Sequence, residues 1–434
     1  MTRIANILIF SLCLSCAAQP ARATELSLND AVNIALTSNT TLVNSERNVK
    51  IFEQKVKEYW ATVYPSITIN AGYTRNIEIP AIFFNGTAIK IGQDNNYSAD
   101  ATLSQILWSG GKVGAAIKIA QLMSDQAAEQ HRLTRLNITR DVKQVYYRVL
   151  LASATAIIER DNLALAQDHL QQMTAQYAQG LRSDLALLQQ RVEVSKREPS
   201  LIKSRNLSEV GLLSLKTLLA HDPDEDVILT SFFEGATNPA PQIRELYDRA
   251  LSNRPDIRIA RLNYDTAHQQ YRLARANFLP SVYANATRSF SGQSGSGWPS
   301  PDMRNWSSSV GATLSWQIFS GGATVAQMKQ AELQESQART SSEELERNIR
   351  VQVKSAWLDL QEAQERMRSQ QEAVEQARQA ARSMLTRFKN GLASQLELND
   401  AEHDLNNARL QYALAQHDAC VAHAQLEWAT GAID

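Results

Sequence analysis

The chain states one pattern twice. Ala35-Leu36 recurs as Ala250-Leu251, and Tyr64-Pro65-Ser66-Ile67 recurs as Leu279-Pro280-Ser281-Val282, both at an offset of 215. Leu103 to Gly111 (LSQILWSGG) recurs as Leu314 to Gly322 (LSWQIFSGG), at an offset of 211. Val142-Lys143 with Tyr146 recurs as Val353-Lys354 with Trp357, and Gly180-Leu181 recurs as Gly391-Leu392, at the same 211. The single change of offset falls between the prolines and the double glycines, in a loop, where length costs little. Two such copies constrain the fold more than any one motif does, because each element must have a counterpart. The repeat divides the chain into 24–220, an inter-repeat link at 221–242, and 243–434.

Each copy reads as helix, two strands, very long helix, helix. Ile67, Ile69, Ala71 and Tyr73 alternate with Thr68, Asn70, Gly72 and Thr74, and Tyr97, Ala99, Ala101 and Leu103 alternate with Ser98, Asp100, Thr102 and Ser104. Val282, Ala284 and Ala286, then Val310, Ala312, Leu314 and Trp316, repeat that alternation in the second copy. Period two over about ten residues suits a tilted strand crossing a bilayer. The plainer alternative is a half-buried sheet in a soluble protein. Tyr73, Tyr97 and Trp306 at one end and Trp108, Trp316 and Phe319 at the other resemble paired interfacial girdles. The connections Arg75 to Asn96 and Ser291 to Asn305 read as polar or Gly/Ser/Pro-rich loops. Four strands cannot close a barrel in lipid without unpaired edges, so copies must pool their hairpins into 8, 12 or 16 strands.

After Gly111 and Gly322 the texture changes to Ala, Gln, Glu, Arg, Leu and Val with almost no Gly or Pro, a strong helix composition. Gly111 to Gly180 and Gly322 to Gly391 are both 69 residues, which predicts two helices of about 100 Å. They return through Leu185 to Ala220 and Leu396 to Ala429. Ala116, Ala120, Ala127, Ala152 and Ala156 permit close helix approach. The link holds Pro223, Pro239 and Pro241 and reads as a surface excursion at mid-height.

Residues 1–23 read as a secretory signal, with Arg3 ahead of an apolar run and Ala21-Arg22-Ala23 before Thr24. Its removal takes away two arginines and no acid, moving the formal charge from −1 to −3, and leaves Cys420 as the one cysteine. Cys16 as a lipid acceptor is disfavoured by Cys13 at a position where Leu is usual. Near-balanced charge carries no nucleic-acid signature. No metalloprotease, phosphate-loop or nucleophile-elbow motif is present, so the chain reads as a non-enzyme with no cofactor. His417, Cys420 and His423 step by about 300° around a helix, an arc too wide for one ligand face, and no metal is assigned to them.

At its landmarks the chain resembles the TolC family of outer-membrane efflux proteins over essentially the whole mature length. The residues that carry this are Leu26 to Ala31 (LSLNDA), Pro65 and Pro280, Trp108 to Gly111 (WSGG), Phe319 to Gly322 (FSGG), Tyr177 to Leu181 (YAQGL) and Phe388 to Leu392 (FKNGL). The resemblance implies an α+β membrane protein. Three chains would supply four strands each to one 12-stranded outer-membrane β-barrel, continuous with a long periplasmic α-helical barrel through the transition glycines Gly110, Gly111, Gly321 and Gly322. It further implies an export duct in a Gram-negative outer membrane, partnered by lipid, a periplasmic adaptor and an inner-membrane pump of the resistance-nodulation-division or ABC type. The other class of reading is a periplasmic helical scaffold that spans no membrane; a barrel-based adhesin would need larger outer loops.

The resemblance also implies site residues. Glu397 and Asp400, three apart on one helical face, match acidic positions that ring the periplasmic constriction. Six such carboxylates in a trimer are expected to bind cations and to raise one another's pKa values. In the first copy these positions are Ala186 and Gln189, with Asp184 nearby. The adaptor-docking turns map to Gly180, Leu181, Arg182 and Ser183 and to Gly391, Leu392, Ala393 and Ser394. A plainer reading makes both glycines helix caps.

Overall fold

The computed structural model describes residues 24–233 and 242–432. The segment read as a secretory signal, with Cys13 and Cys16, lies outside them, as do positions 234–241 of the link. The first half runs β1 (Thr24–Leu26), α1 (Leu28–Ser38), α2 (Thr40–Ala61), β2 (Ser66–Arg75), β3 (Ala81–Phe84), β4 (Thr87–Lys90), β5 (Asn95–Trp108), α3 (Lys112–Ala178) and α4 (Asp184–Leu219). After β6 (Val227–Leu229) come α5 (Ile243–Asn253), α6 (Pro255–Ala276), β7 (Ser281–Ser294), β8 (Arg304–Ser315), α7 (Ala323–Lys389) and α8 (Gln395–Thr430).

Two helices, not one, precede each strand hairpin. In the first half Asn39 makes the break: its side chain accepts from the Thr41 and Leu42 amides to start α2, and its own amide closes α1 on Ala35. In the second half Pro255 does so, because it cannot donate to α5 and holds Arg254 extended.

The outer connection of the first hairpin also differs from a plain polar loop. It contains β3 and β4, paired across Asn85-Gly86, both at positive φ (49° and 79°). An Asn-Gly pair between AIFF and TAIK is a type I′ hairpin signal, and it turns what its polarity marks as a loop into two short paired strands.

The long helices α3 and α7 are 67 residues each, about 100 Å. Each packs antiparallel on its return helix, α4 or α8, and α8 also lies against α3. No helix among the described residues is long and apolar enough to cross a membrane. The core sits midway along the helices in two clusters at repeat-related positions. One gathers Val142, Tyr146, Ala35, Leu215 and Leu219, and the other Val353, Ile349, Leu360, Ala250 and Ile257. The buried Tyr146 hydroxyl donates to the Leu26 carbonyl and accepts from the Ser231 amide, pinning the parallel pair β1–β6 over the first cluster. The link therefore binds back to the body through Val227–Leu229.

The main sheet has the order β2-β5-β7-β8 and is antiparallel throughout. Residues paired directly share a face. Ile67, Leu103, Ala286 and Val310 form one rung across four strands, and Ala71, Ala99, Phe290 and Trp306 form another on the same side. The opposite side carries Thr68, Thr102, Thr287 and Ser309, then Asn70, Asp100, Ser289 and Ser307. One face is thus apolar and the other wetted. The sheet does not close on itself: β2 and β8 are edges, exposed along their lengths.

At the strand-to-helix steps Gly110, Gly111, Gly321 and Gly322 have φ of +63°, +88°, +63° and +89°, a left-handed path that other residues resist. Gly110 is also pressed by its neighbour, since a Cβ there would lie 2.6 Å from the Leu279 Cβ. Gly321, its repeat mate, has open space around it. The same corner is packed inside the chain in one copy and uncovered in the other.

Candidate gate and docking turns

Both helical tips end in the same hydrogen-bonded turn. The Gly180 amide donates to the Tyr177 carbonyl and the Leu181 amide to Gln176; likewise Gly391 donates to Phe388 and Leu392 to Arg387. With φ of +73° and +72° at the glycines, these are Schellman caps. They leave Leu181 and Leu392, and one turn later Leu185 and Leu396, at least 65% exposed. Four leucines held outward by two rigid caps make a paired apolar tip. The tips also touch: the Arg182 guanidinium lies 5.3 Å from the Phe388 ring centroid, held there by its hydrogen bond to Gln176. Arg182, one of the predicted docking residues of the first copy, is thereby joined to Phe388 just before the second turn.

The return helices start differently. Ser183 caps α4 by accepting from the Ala186 amide, but Ala186 has nothing to give back. Ser394 caps α8 in a reciprocal box, in which the Glu397 carboxylate accepts from the Ser394 amide at 2.7 Å and hydroxyl at 2.8 Å. Within one chain this box, rather than a neighbouring acid, sets the charge of Glu397. Hydrogen bonds from the Ser394 backbone and hydroxyl hold its pKa below the ordinary value, with a smaller contribution from Arg387.

Glu397 and Asp400 do share a face, and they line an open groove of about 590 Å³ between α7 and α8. Ala373, Ala377 and Ala380 floor it, and Asp404 is a third acid on its rim. Asp404 was not singled out from the sequence, although the spacing 397, 400, 404 carries the signal.

Beside the groove a polar cluster joins the α3–α4 helical pair to α8. His169 and Asn162 of α3, Gln190 of α4 and Glu402 and Asn406 of α8 meet there, with Asn162 donating to Asn406 and Gln190 to the Ala166 carbonyl. Burial raises the Glu402 carboxyl to about 7, against a smaller lowering by Arg197. Burial likewise lowers the His169 imidazole. Their 3.6 Å approach is accordingly a contact between two groups that each resist charge, and not a strong ion pair. The Nδ1 of His169 and Oε1 of Gln190 are buried without partners.

Near the other end of α8, Cys420 is buried in the core and its thiol is pushed up to about 12. His417 contacts Asp418 and His423 contacts Glu427, so the three residues face separate surroundings.

The outer membrane efflux protein family matches residues 31–221 and 246–432. Outer membrane efflux protein BepC of Brucella suis is 23% identical over 410 residues, covering 93% of this chain and 85% of the relative. Alkaline protease secretion protein AprF of Pseudomonas aeruginosa is 26% identical, covering 67% of this chain and 62% of its own length. Among solved structures the CmeC outer membrane channel of Campylobacter jejuni superposes with a TM-score of 0.81 at 16% identity, over 93% of this chain and 85% of that one.

Proposed function

The chain belongs to the outer membrane efflux protein family, and from that premise we propose that three copies form one passive duct, a 12-stranded barrel running into an α-helical tunnel. The observation that carries this is the incompleteness of the single chain. The β2 and β8 edges are unpaired, Gly321 lacks the packing that Gly110 has, and α4 leaves Leu188, Val192, Ile202, Val210 and Leu213 uncovered in a row. All three flaws are mended by a neighbour that sets its β2 beside β8 and a helix against α4. In such a trimer the Thr, Ser and Asn face of the sheet lines the bore, and the apolar face meets lipid.

The duct performs no chemistry. Energy and cargo choice come from an inner-membrane pump, reached through an adaptor that seats on the paired tips at Gly180 to Ser183 and Gly391 to Ser394. Glu397 and Asp400 then face the tunnel at its narrow end, where symmetry multiplies them into a cation-binding ring. The names of the relatives cover both efflux and protease secretion, and the shared architecture serves either.

Purified in detergent, the protein is expected to have three times the chain mass and to open cation-preferring channels in planar bilayers. A folded monomer that stays soluble without detergent would refute the duct.

A further inference from the structure

The apolar face of the sheet carries charges of one sign. Followed rung by rung, its charged residues are Arg288, Arg304 and Arg75, with no carboxylate among the described positions. The sheet's one acid, Asp100, is on the opposite face. Arg288 pairs with Ala101 and Ser308, one rung above Leu103, Ala286 and Val310 and one below Phe290 and Trp306. A rung climbs about 5 Å along a tilted barrel, so Arg288 lies some 10 Å below the Tyr73–Tyr97 belt, within an apolar band about 25 Å tall. An arginine on that surface is costly unless its charge is met.

Its geometry shows where the charge is directed. The Arg288 guanidinium stacks on Trp306, at 5.0 Å, and donates to the Ser308 hydroxyl at 2.6 Å, so the side chain climbs toward the belt. Arg304 leans on Trp298, with a centroid distance of 5.9 Å, and donates to the Pro299 carbonyl. Between them Phe290 contacts both Trp306 and Trp298, and Tyr97 closes the end. Two guanidiniums are thus held on one aromatic platform by contacts that leave both charges unneutralised. A neighbouring subunit does not supply the anion, because the same face of β2 offers Ile67, Ile69, Ala71, Tyr73 and Arg75.

We propose that Arg288 and Arg304, on the Trp298–Phe290–Trp306 platform, form a seat for the phosphorylated headgroup of an outer-leaflet lipid. The proposal rests on the barrel reading above. Guanidinium forks match phosphate oxygens, and the aromatic platform suits the apolar base of an amphiphile at the interface. Each trimer holds three such seats, away from the bore.

The test measures binding of diphosphorylated and fully dephosphorylated lipid A to the detergent-purified protein by native mass spectrometry, with the same samples opened in planar bilayers as a control. The diphosphorylated form is expected to bind about tenfold more tightly, and R288Q/R304Q to lose that preference while forming channels of unchanged conductance. Equal binding of the two lipids to the wild-type protein, or an undiminished preference in R288Q/R304Q, overturns the seat. Displacement of the lipid by millimolar inorganic phosphate would overturn the lipid as its occupant. A lost lipid preference in samples that conduct leaves the barrel reading intact, whereas samples that never conduct defeat that reading instead.

Discussion

The two helical tips share a backbone and differ in almost everything the backbone presents. Gly180 and Gly391 make the same capped turn, yet the helix after one carries six Lys/Arg against four Asp/Glu and the helix after the other six Asp/Glu against one Arg. Ala186 matches Glu397, Gln189 matches Asp400, and the exposed Arg191 matches the half-buried Glu402. α8 is tucked against α3, while α4 turns a row of apolar residues outward. The lesson is that duplication conserved the scaffold and assigned its copies to different surroundings, one enclosed by its own chain and one awaiting a neighbour.

The largest expected effect breaks both turns. Proline cannot adopt the positive φ of Gly180 or Gly391 and removes the amide that closes each cap. Gly180→Pro with Gly391→Pro should abolish export while sheet assembly persists, as judged by trimers in outer-membrane fractions. Surviving export would refute the docking role.

A second test sets acid against neutral. Glu397→Gln, Asp400→Asn and Asp404→Asn together should raise single-channel conductance and weaken divalent-cation block by about tenfold. Ala186→Glu with Gln189→Asp, the same acids moved to α4, should leave block within about twofold. Equal responses from the two helices would erase the distinction between them.

Glu402 permits a sharper test by pH. Its folded pKa of about 7 lies above the ordinary carboxylate value of 4.5, so the neutral form is the one the fold favours. Stability associated with this group is fully present below pH 4.5 and is lost as pH rises to about 7. Glu402→Gln should flatten the fall in thermal midpoint across that window. A substitution at exposed Arg191 should leave the curve alone; an unchanged slope in Glu402→Gln would remove the buried-acid assignment.

The smallest effect separates the caps. Ser183→Ala and Ser394→Ala each lose a hydroxyl cap, at about 1 kcal/mol. Only Ser394→Ala should also move the Glu397 titration part of the way upward, because the hydroxyl bond is lost while the larger contribution, from the backbone amide of residue 394, remains. Carboxyl-carbon NMR of the labelled side chain would read that shift, and a stationary titration would deny the Ser394 hydroxyl its share of the effect.

What the sequence disclosed follows physical range. Period two in the strands, helix composition over 67 residues and left-handed glycines are local signals, and the sheet, the long helices and the turns were legible from them. The Asn39 break, by contrast, depends on a side chain that caps α2 and also donates to the distant Leu218 carbonyl. The Glu402–His169 cluster joins three helices, and no spacing along one of them announces it. The spacing of Glu397 and Asp400 is visible along one helix, whereas the cap bond from Ser394 that holds the Glu397 charge within the chain depends on the geometry of the turn.

The equal span of α3 and α7 places a constraint on how such a chain can evolve. Losing one residue from only one of them would draw its tip back by about 1.5 Å and swing everything beyond by roughly 100°. Arg182 would then leave Phe388, and the three-helix junction around Asn162 and Asn406 would fall out of phase. Length can therefore change only in matched steps across both copies, so homologues of different reach should differ by paired insertions, in near-whole turns, at corresponding heights.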